Sequence, residues 1–205
     1  MMIENKLGIK NSVELAIIEE KTTKKKALEI YKNKLFFSSN IGTYENLKQI
    51  HKYLFSEIYD FAGELRKVNI SKNNFRFAPV LYLEQSLEAI NNMPQNTFEQ
   101  IIEKYVEMNV AHPFREGNGR ATRIWLDLLM RKQLNKAIDW SKIDTEEYLM
   151  AMQRSPFKDL EIKELISSAL TAKLDDAEIY MKGIDRSYEY EGYSDFTINE
   201  INNEQ

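Results

Sequence analysis

Apolar residues recur every three or four positions along most of this chain. In 12–35, Val13, Ile17, Leu28 and Leu35 stand among many charges, which predicts a helix. Thr43 is a good N-cap for a second helix over about 44–60, with Leu47, Ile50, Leu54 and Ile58 at helical spacing. The period then drops to two. Val68 and Ile70, then Phe75 and Phe77, alternate with polar residues around Lys72-Asn73-Asn74, which predicts a hairpin. Pro79 can open the next helix, about 79–92. Thr97 and Gln100 form a capping box for a helix carrying Ile101, Ile102, Tyr105, Val106 and Val110. That helix should stop at His112, because Pro113 disfavours α geometry in the residue before it.

A further helix starts near Asn118 and is apolar nearly all round over 124–130, so it should be central and buried. Asp144 and Glu147 make another capping box, for a helix through Met152. Asp159 starts a helix to about Lys173, and Asp175 starts a last helical region interrupted at Gly183. Residues 194–205 are polar and are expected to fray.

Composition narrows the picture. The chain has 205 residues, enough for one domain with a full core, here taken as 1–193. Seven glycines and four prolines favour helices over a turn-rich β fold, so the expected class is all-α with one hairpin. Hydrophobic content of 43% is ordinary for a soluble globular protein. No run of about 18 apolar residues predicts a membrane span, and the first residues lack the apolar core of a secretory signal. A cytoplasmic location fits. There is no cysteine, which excludes disulfides, thiolate nucleophiles and cysteine metal sites. The net charge of -4 argues against direct nucleic-acid binding, which usually needs a basic surface. The one basic run, 24–26, reads as a solvated helix face.

The chemistry concentrates in HPFREGNGRATR, residues 112–123. Gly117-Asn118-Gly119 between two helices is a candidate anion nest, with the positive end of the next helix aimed at the same point. Arg120 and Arg123 are three apart and share one side of that helix, which suits a polyphosphate. Glu116 is a hard oxygen ligand suited to Mg²⁺ shared with phosphate oxygens. His112 is a plausible general base, and Phe114 an anchor into the core. Each residue also has an ordinary reading, as a helix cap, a turn or a solvent-facing arginine. Spacing alone does not name a reaction.

This stretch resembles the Fic family, whose pattern H-x-F-x-[DE]-G-N-G-R-x-x-R is matched at every specified position of 112–123. The segment IYDFAGELR, 58–66, and the hairpin at 67–78 also look like that family, and the resemblance covers roughly 40–192. It implies transfer of AMP from Mg-ATP to a hydroxyl of a target protein. His112 would take the proton, Glu116 hold Mg²⁺, and Gly117, Asn118 and Gly119 cradle the phosphates. Arg120 and Arg123 would bind the outer phosphates. The hairpin would be the flap that pairs with an extended target segment, and Lys72 at its tip would reach a phosphate. Relatives with lysine in place of the second glycine transfer phosphate instead. Phosphotransfer, other nucleotidyl transfer and a silent nucleotide-binding module are the alternatives.

A second stretch, SYEYEG, 187–192, matches the family's inhibitory pattern [ST]-x-x-x-E-[GN]. Its C-terminal place resembles the class whose inhibitory helix lies in the same chain. By that resemblance Glu191 pairs with Arg123 and blocks productive ATP binding, with Ser187 on the same helix face, and the turn spans 184–192. Tyr188, Tyr190 and Tyr193 crowd this turn, and Tyr188 is the first candidate for self-modification by AMP. In the family, association can hold the inhibitory helix, so a homo-oligomer is compatible, and delivery to a host or target cell is the alternative to a cytoplasmic life. His51, the other histidine, reads as partly exposed and structural.

Overall fold

The stretch that is apolar on every side becomes the axis of the fold. The computed structural model describes residues 3–37, 40–72 and 75–203. Helix α5, Asn118–Leu134, has residues 120–130 buried without a break. It is covered by α2 (Tyr44–Phe55), α4 (Phe98–Ala111) and α8 (Ala177–Glu189). Helix α1 (Ser12–Lys32) packs on α2 and α8, and α3 (Val80–Asn92) on α4. Burying large apolar side chains such as Trp125, Phe55 and Tyr105 supplies the main driving force.

Several caps fall where the side chains predict them. Thr43 Oγ1 accepts from the Asn46 N–H, Thr97 Oγ1 from the Gln100 N–H, and Asp144 from the Glu146 and Glu147 N–H groups. The hairpin is short: β1 (Ser71–Lys72) pairs antiparallel with β2 (Phe75–Arg76), and its tip, Asn73-Asn74, lies outside the described residues. A second small pair joins β3 (Ala137–Ile138) to β4 (Leu170–Thr171). Helix α6 spans Thr145–Arg154.

Some expectations are corrected. Helix α7, Leu160–Ser168, stops short of Lys173, because the chain turns to pair with β3. Gly183 does not interrupt α8. It lies inside the helix, where an added Cβ would come within 3.3 Å of the Trp140 ring, so it serves close packing. Residues 194–203 are not frayed. Helix α9, Ile198–Asn203, buries Ile198 and Ile201, and the Asp195 and Phe196 N–H groups donate to Glu20. Nor is 24–26 a solvated face throughout. Lys24 is 1% exposed and lies 3.0 Å from both Glu20 and Asp185, and it donates to the Phe196 carbonyl. Val13, expected on the apolar face, is exposed.

Candidate active site

Helix α4 stops at Ala111, and His112 takes a left-handed conformation with φ 48° that turns the chain toward the loop. Its ring stacks on Phe77 from the hairpin, with centroids 3.6 Å apart. His112 Nδ1 lies 3.1 Å from the Asn109 carbonyl. A carbonyl only accepts, so Nδ1 carries the proton and Nε2 keeps its lone pair. Burial lowers the His112 pKa to about 4, against the opposing pull of the Asn109 carbonyl and Glu191. The imidazole is therefore a neutral base at pH 7.

The loop is held from below. Phe114 is fully buried and stacks on His51, 3.8 Å between centroids, as an anchor should. His51 is itself fully buried, not partly exposed. Its Nδ1 accepts from the Gly63 N–H at 2.9 Å, so Nε2–H donates to the Glu116 carbonyl at 2.8 Å. Desolvation lowers its pKa to about 3, which keeps it neutral for this double role. Gly117 begins α5 at φ 76°, and an added Cβ would fall 2.4 Å from the Phe55 ring. Only glycine fits there.

Two loop residues are placed differently from their expected roles. The Asn118 side chain accepts from the Phe114 N–H and donates to the Phe114 carbonyl, both at 2.8 Å. It fastens the loop, and its amide is not turned to a phosphate. Arg120 is fully buried, with Nη1 2.6 Å from Glu19 Oε1 and Nη2 3.4 Å from Glu116 Oε1. It is covered by the rings of Phe55, Tyr188 and Tyr193, so it is an internal strut rather than an open phosphate ligand. Glu19 also accepts from the hydroxyls of Tyr59 and Tyr193.

Arg123 is where the C-terminal stretch meets the loop. Its Nε donates to Ser187 Oγ and its Nη2 to the Ser187 carbonyl, both at 2.7 Å, and Nη2 donates to Glu191 Oε1 at 2.8 Å. Lys72 at the hairpin holds the other Glu191 oxygen at 3.0 Å. The carboxylate stands directly over Gly119, 2.1 Å from where a Cβ would be. Burial alone would raise the Glu191 pKa, but Arg123 and Lys72 outweigh it and hold the group down to about 2. An ionised carboxylate thus occupies the space among Arg123, Lys72 and the first turn of α5, where a phosphate would otherwise be attracted.

Tyr188, the tyrosine singled out for self-modification, is 1% exposed and packs against Arg120 and Lys24. As folded, its hydroxyl is buried inside the protein. Glu19 and Arg66 escaped the sequence reading. Glu19 carries no local signal, being one acid among many on α1. Arg66 ends the 58–66 segment, and its bonds become visible only in the fold.

Glu116 is partly exposed at the loop edge, and its Oε1 accepts from the Gly117 N–H at 2.9 Å. Among the described residues, no group of three or more His, Cys, Asp or Glu is placed to hold a metal ion. Glu116 therefore fits Mg²⁺ only if phosphate oxygens and water supply the remaining ligands, as Mg²⁺ commonly allows. Among the described residues, no helix is long and apolar enough to cross a membrane.

Comparison with known proteins gives the chain's relatives. The Fic/DOC family profile matches residues 42–130. The probable protein adenylyltransferase Fic of Salmonella typhimurium is 31% identical over 170 residues, covering 78% of this chain and 82% of that protein. The protein adenylyltransferase VbhT of Bartonella schoenbuchensis is 32% identical over 158 residues, covering 72% of this chain, which spans 32% of VbhT's length. Among solved structures, BepC of Bartonella tribocorum with bound AMPPNP superimposes with a TM-score of 0.68 at 19% identity, covering 83% of this chain and 93% of that one. The N-terminal Fic domain of a Bartonella effector from strain AR 15-3 gives 0.71 at 19% identity, covering 83% and 88%. At that identity the structural likeness establishes the fold. The sequence match across most of the Salmonella protein goes further: this chain belongs to the Fic family.

Proposed function

We propose that this protein is a protein adenylyltransferase that moves AMP from Mg-ATP to a tyrosine, serine or threonine hydroxyl of a target protein, and that Glu191 holds it inactive in the conformation described. The observation that carries the reading is the neutral His112, with Nε2 free, beside a glycine-lined helix N-terminus. The names of the curated relatives and the AMPPNP bound to BepC support the same substrate.

His112 Nε2 would accept the proton of the target hydroxyl. The hydroxyl oxygen then bonds to the α-phosphorus, the bond to the bridging oxygen of the β-phosphate breaks, and pyrophosphate leaves. Gly117 and Gly119 let the backbone approach the phosphates closely. Arg123, once free of Glu191, would bind the outer phosphates and stabilise the charge that develops on the leaving group. Mg²⁺ held by Glu116 would neutralise phosphate charge. With Glu191 displaced, Gly119 would leave room for the nucleotide in the orientation that exposes its α-phosphate. The hairpin would add an extended target segment as another strand. Lys72 would exchange Glu191 for phosphate. Self-modification at Tyr188 would require the 184–192 turn to leave the core first.

The test uses α-labelled ATP, Mg²⁺ and a bacterial lysate with three proteins: wild type, Glu191→Gly, and Glu191→Gly with His112→Ala. Strong labelling by the single variant, weak labelling by wild type and none by the double variant is the expected result. Transfer of γ-label instead would favour phosphotransfer. Binding of ATP with transfer of neither label would favour a silent module.

A further inference from the structure

One buried cation joins the two parts of the site that chemistry needs aligned. Arg66 is 3% exposed. Its Nε donates to the His112 carbonyl at 2.8 Å and its Nη2 to the Ala111 carbonyl at 3.1 Å. Its Nη1 donates to the Val68 carbonyl at 2.9 Å, and Nη2 also to the Ala78 carbonyl. Val68 and Ala78 are the two feet of the hairpin. The backbone repeats the link: the Arg66 N–H donates to the Pro113 carbonyl and the Ala78 N–H to the Val110 carbonyl, both at 2.9 Å.

The physical reasons are specific. Helix α4 ends with carbonyls that have no donor within the helix, and a cation is favoured at that end. A planar guanidinium has five donors in a fixed fork and can serve four acceptors at once, whereas an ammonium cannot match that geometry. His112 sits in a left-handed conformation that is uncommon for a residue with a side chain and persists when its surroundings fix it. The hairpin lends Phe77 to the His112 ring, so hairpin and base also meet through side chains.

We propose that Arg66 is a positioning residue that locks the base His112 and the target-presenting hairpin into one unit, so that a single side chain sets the distance between base and target hydroxyl. This rests on the adenylyl-transfer reading above. Buried and bonded to backbone carbonyls, Arg66 acts through His112 and the hairpin rather than on the substrates. Its effect should therefore fall on the rate of transfer and leave ATP binding in place.

The experiment compares Arg66→Lys and Arg66→Met with their parent, Glu191→Gly, as full chains. Transfer of α-label to lysate proteins is followed against ATP concentration, beside the thermal midpoint. The expected result for Arg66→Lys is a loss of about tenfold or more in maximal transfer, with half-saturating ATP within about twofold of the parent, since small misplacements of reacting groups are costly. Arg66→Met should lose at least as much. Transfer by Arg66→Lys equal to the parent's would overturn the proposal, as would a loss matched by the fraction unfolded. Hydrogen exchange supplies a readout independent of activity. Arg66→Lys should speed exchange at the hairpin 67–78 and at 110–114 together. Faster exchange at only one of these segments, or at neither, would also overturn it. If the parent transfers no label, the adenylyl-transfer reading fails, and exchange alone still decides whether Arg66 couples the two segments.

Discussion

Glu191 and Arg123 lie 68 residues apart in sequence and 2.8 Å apart in space. The carboxylate also overlies Gly119 so closely that no larger residue could share the space. One side chain therefore takes up both the Arg123 guanidinium and the space above Gly119.

Gly119→Ala should displace the Glu191 carboxylate, because the new methyl would stand 2.1 Å from Oε1. The carboxylate is the far end of a flexible side chain, so it can swing away, and the cost is the lost ion pair. A double-mutant cycle in urea checks this. Gly119→Ala should destabilise wild type by about 1 kcal/mol and cost less in Glu191→Ala, where only Arg123 Nη1, 3.0 Å from the new methyl, must shift.

Removing Arg120 should cost more than removing Arg123. Arg120 and Glu19 are buried at 0% and 2% exposure, so Arg120→Ala leaves a buried carboxylate without its cation. Such losses run to about 3–5 kcal/mol. Glu191 still has Lys72 when Arg123 is removed, and it is 19% exposed. Urea unfolding of the two alanine variants gives the ranking.

Acid should destabilise the fold through its two buried histidines. His51 and His112 have pKa values lowered to about 3 and about 4, chiefly by burial. The unfolded chain binds protons at both below about pH 6.5 while the folded chain does not. Their contribution is complete above that pH and is lost as pH falls toward 4 and 3, roughly 2 kcal/mol per group between pH 6.5 and 5. His51→Asn should start less stable at pH 7 and lose less than wild type on going to pH 5. Urea midpoints at the two pH values measure this.

Transfer by Glu191→Gly should stay flat in its dependence on His112 from pH 8 to 5. Glu191 is one of the groups that raise the His112 pKa, so losing its charge acts to lower that value, provided the burial that chiefly depresses it is kept. A rate that halves near pH 6.5 would mean that His112 is not held neutral in solution.

Lys24→Met should loosen the C-terminal segment. The buried ammonium joins Glu20, Asp185 and the Phe196 carbonyl, and Asp185 in turn caps α9 through the Ile198 N–H at 2.9 Å. The segment begins three residues after Glu191, so its release should also free the 184–192 turn. Limited proteolysis should cut near 193–197 sooner than in wild type, and labelling by the otherwise intact chain should rise.

The chain itself carries enough to locate the loop, the buried helix, several caps and the hairpin. These depend on neighbours within one or two turns: Thr97 caps Gln100, Pro113 ends the helix before it, and the apolar run of α5 needs no partner to be read as buried. The Arg123–Glu191 pairing was legible through the resemblance of two short patterns. What tertiary structure alone decided is which charges are buried. Glu19 meets Arg120 across 101 residues, and Lys24 meets Asp185 across 161. Arg66 gathers carbonyls from two helix-end residues and both feet of the hairpin. A charged residue on a helix reads as solvated because desolvation is costly, and only the arrival of an opposite charge or several acceptors from distant segments reverses that balance. The polar tail follows the same logic: Ile198 and Ile201 make too small an apolar face to announce a helix, and α1 and α8 supply the surface and the cap that fold it.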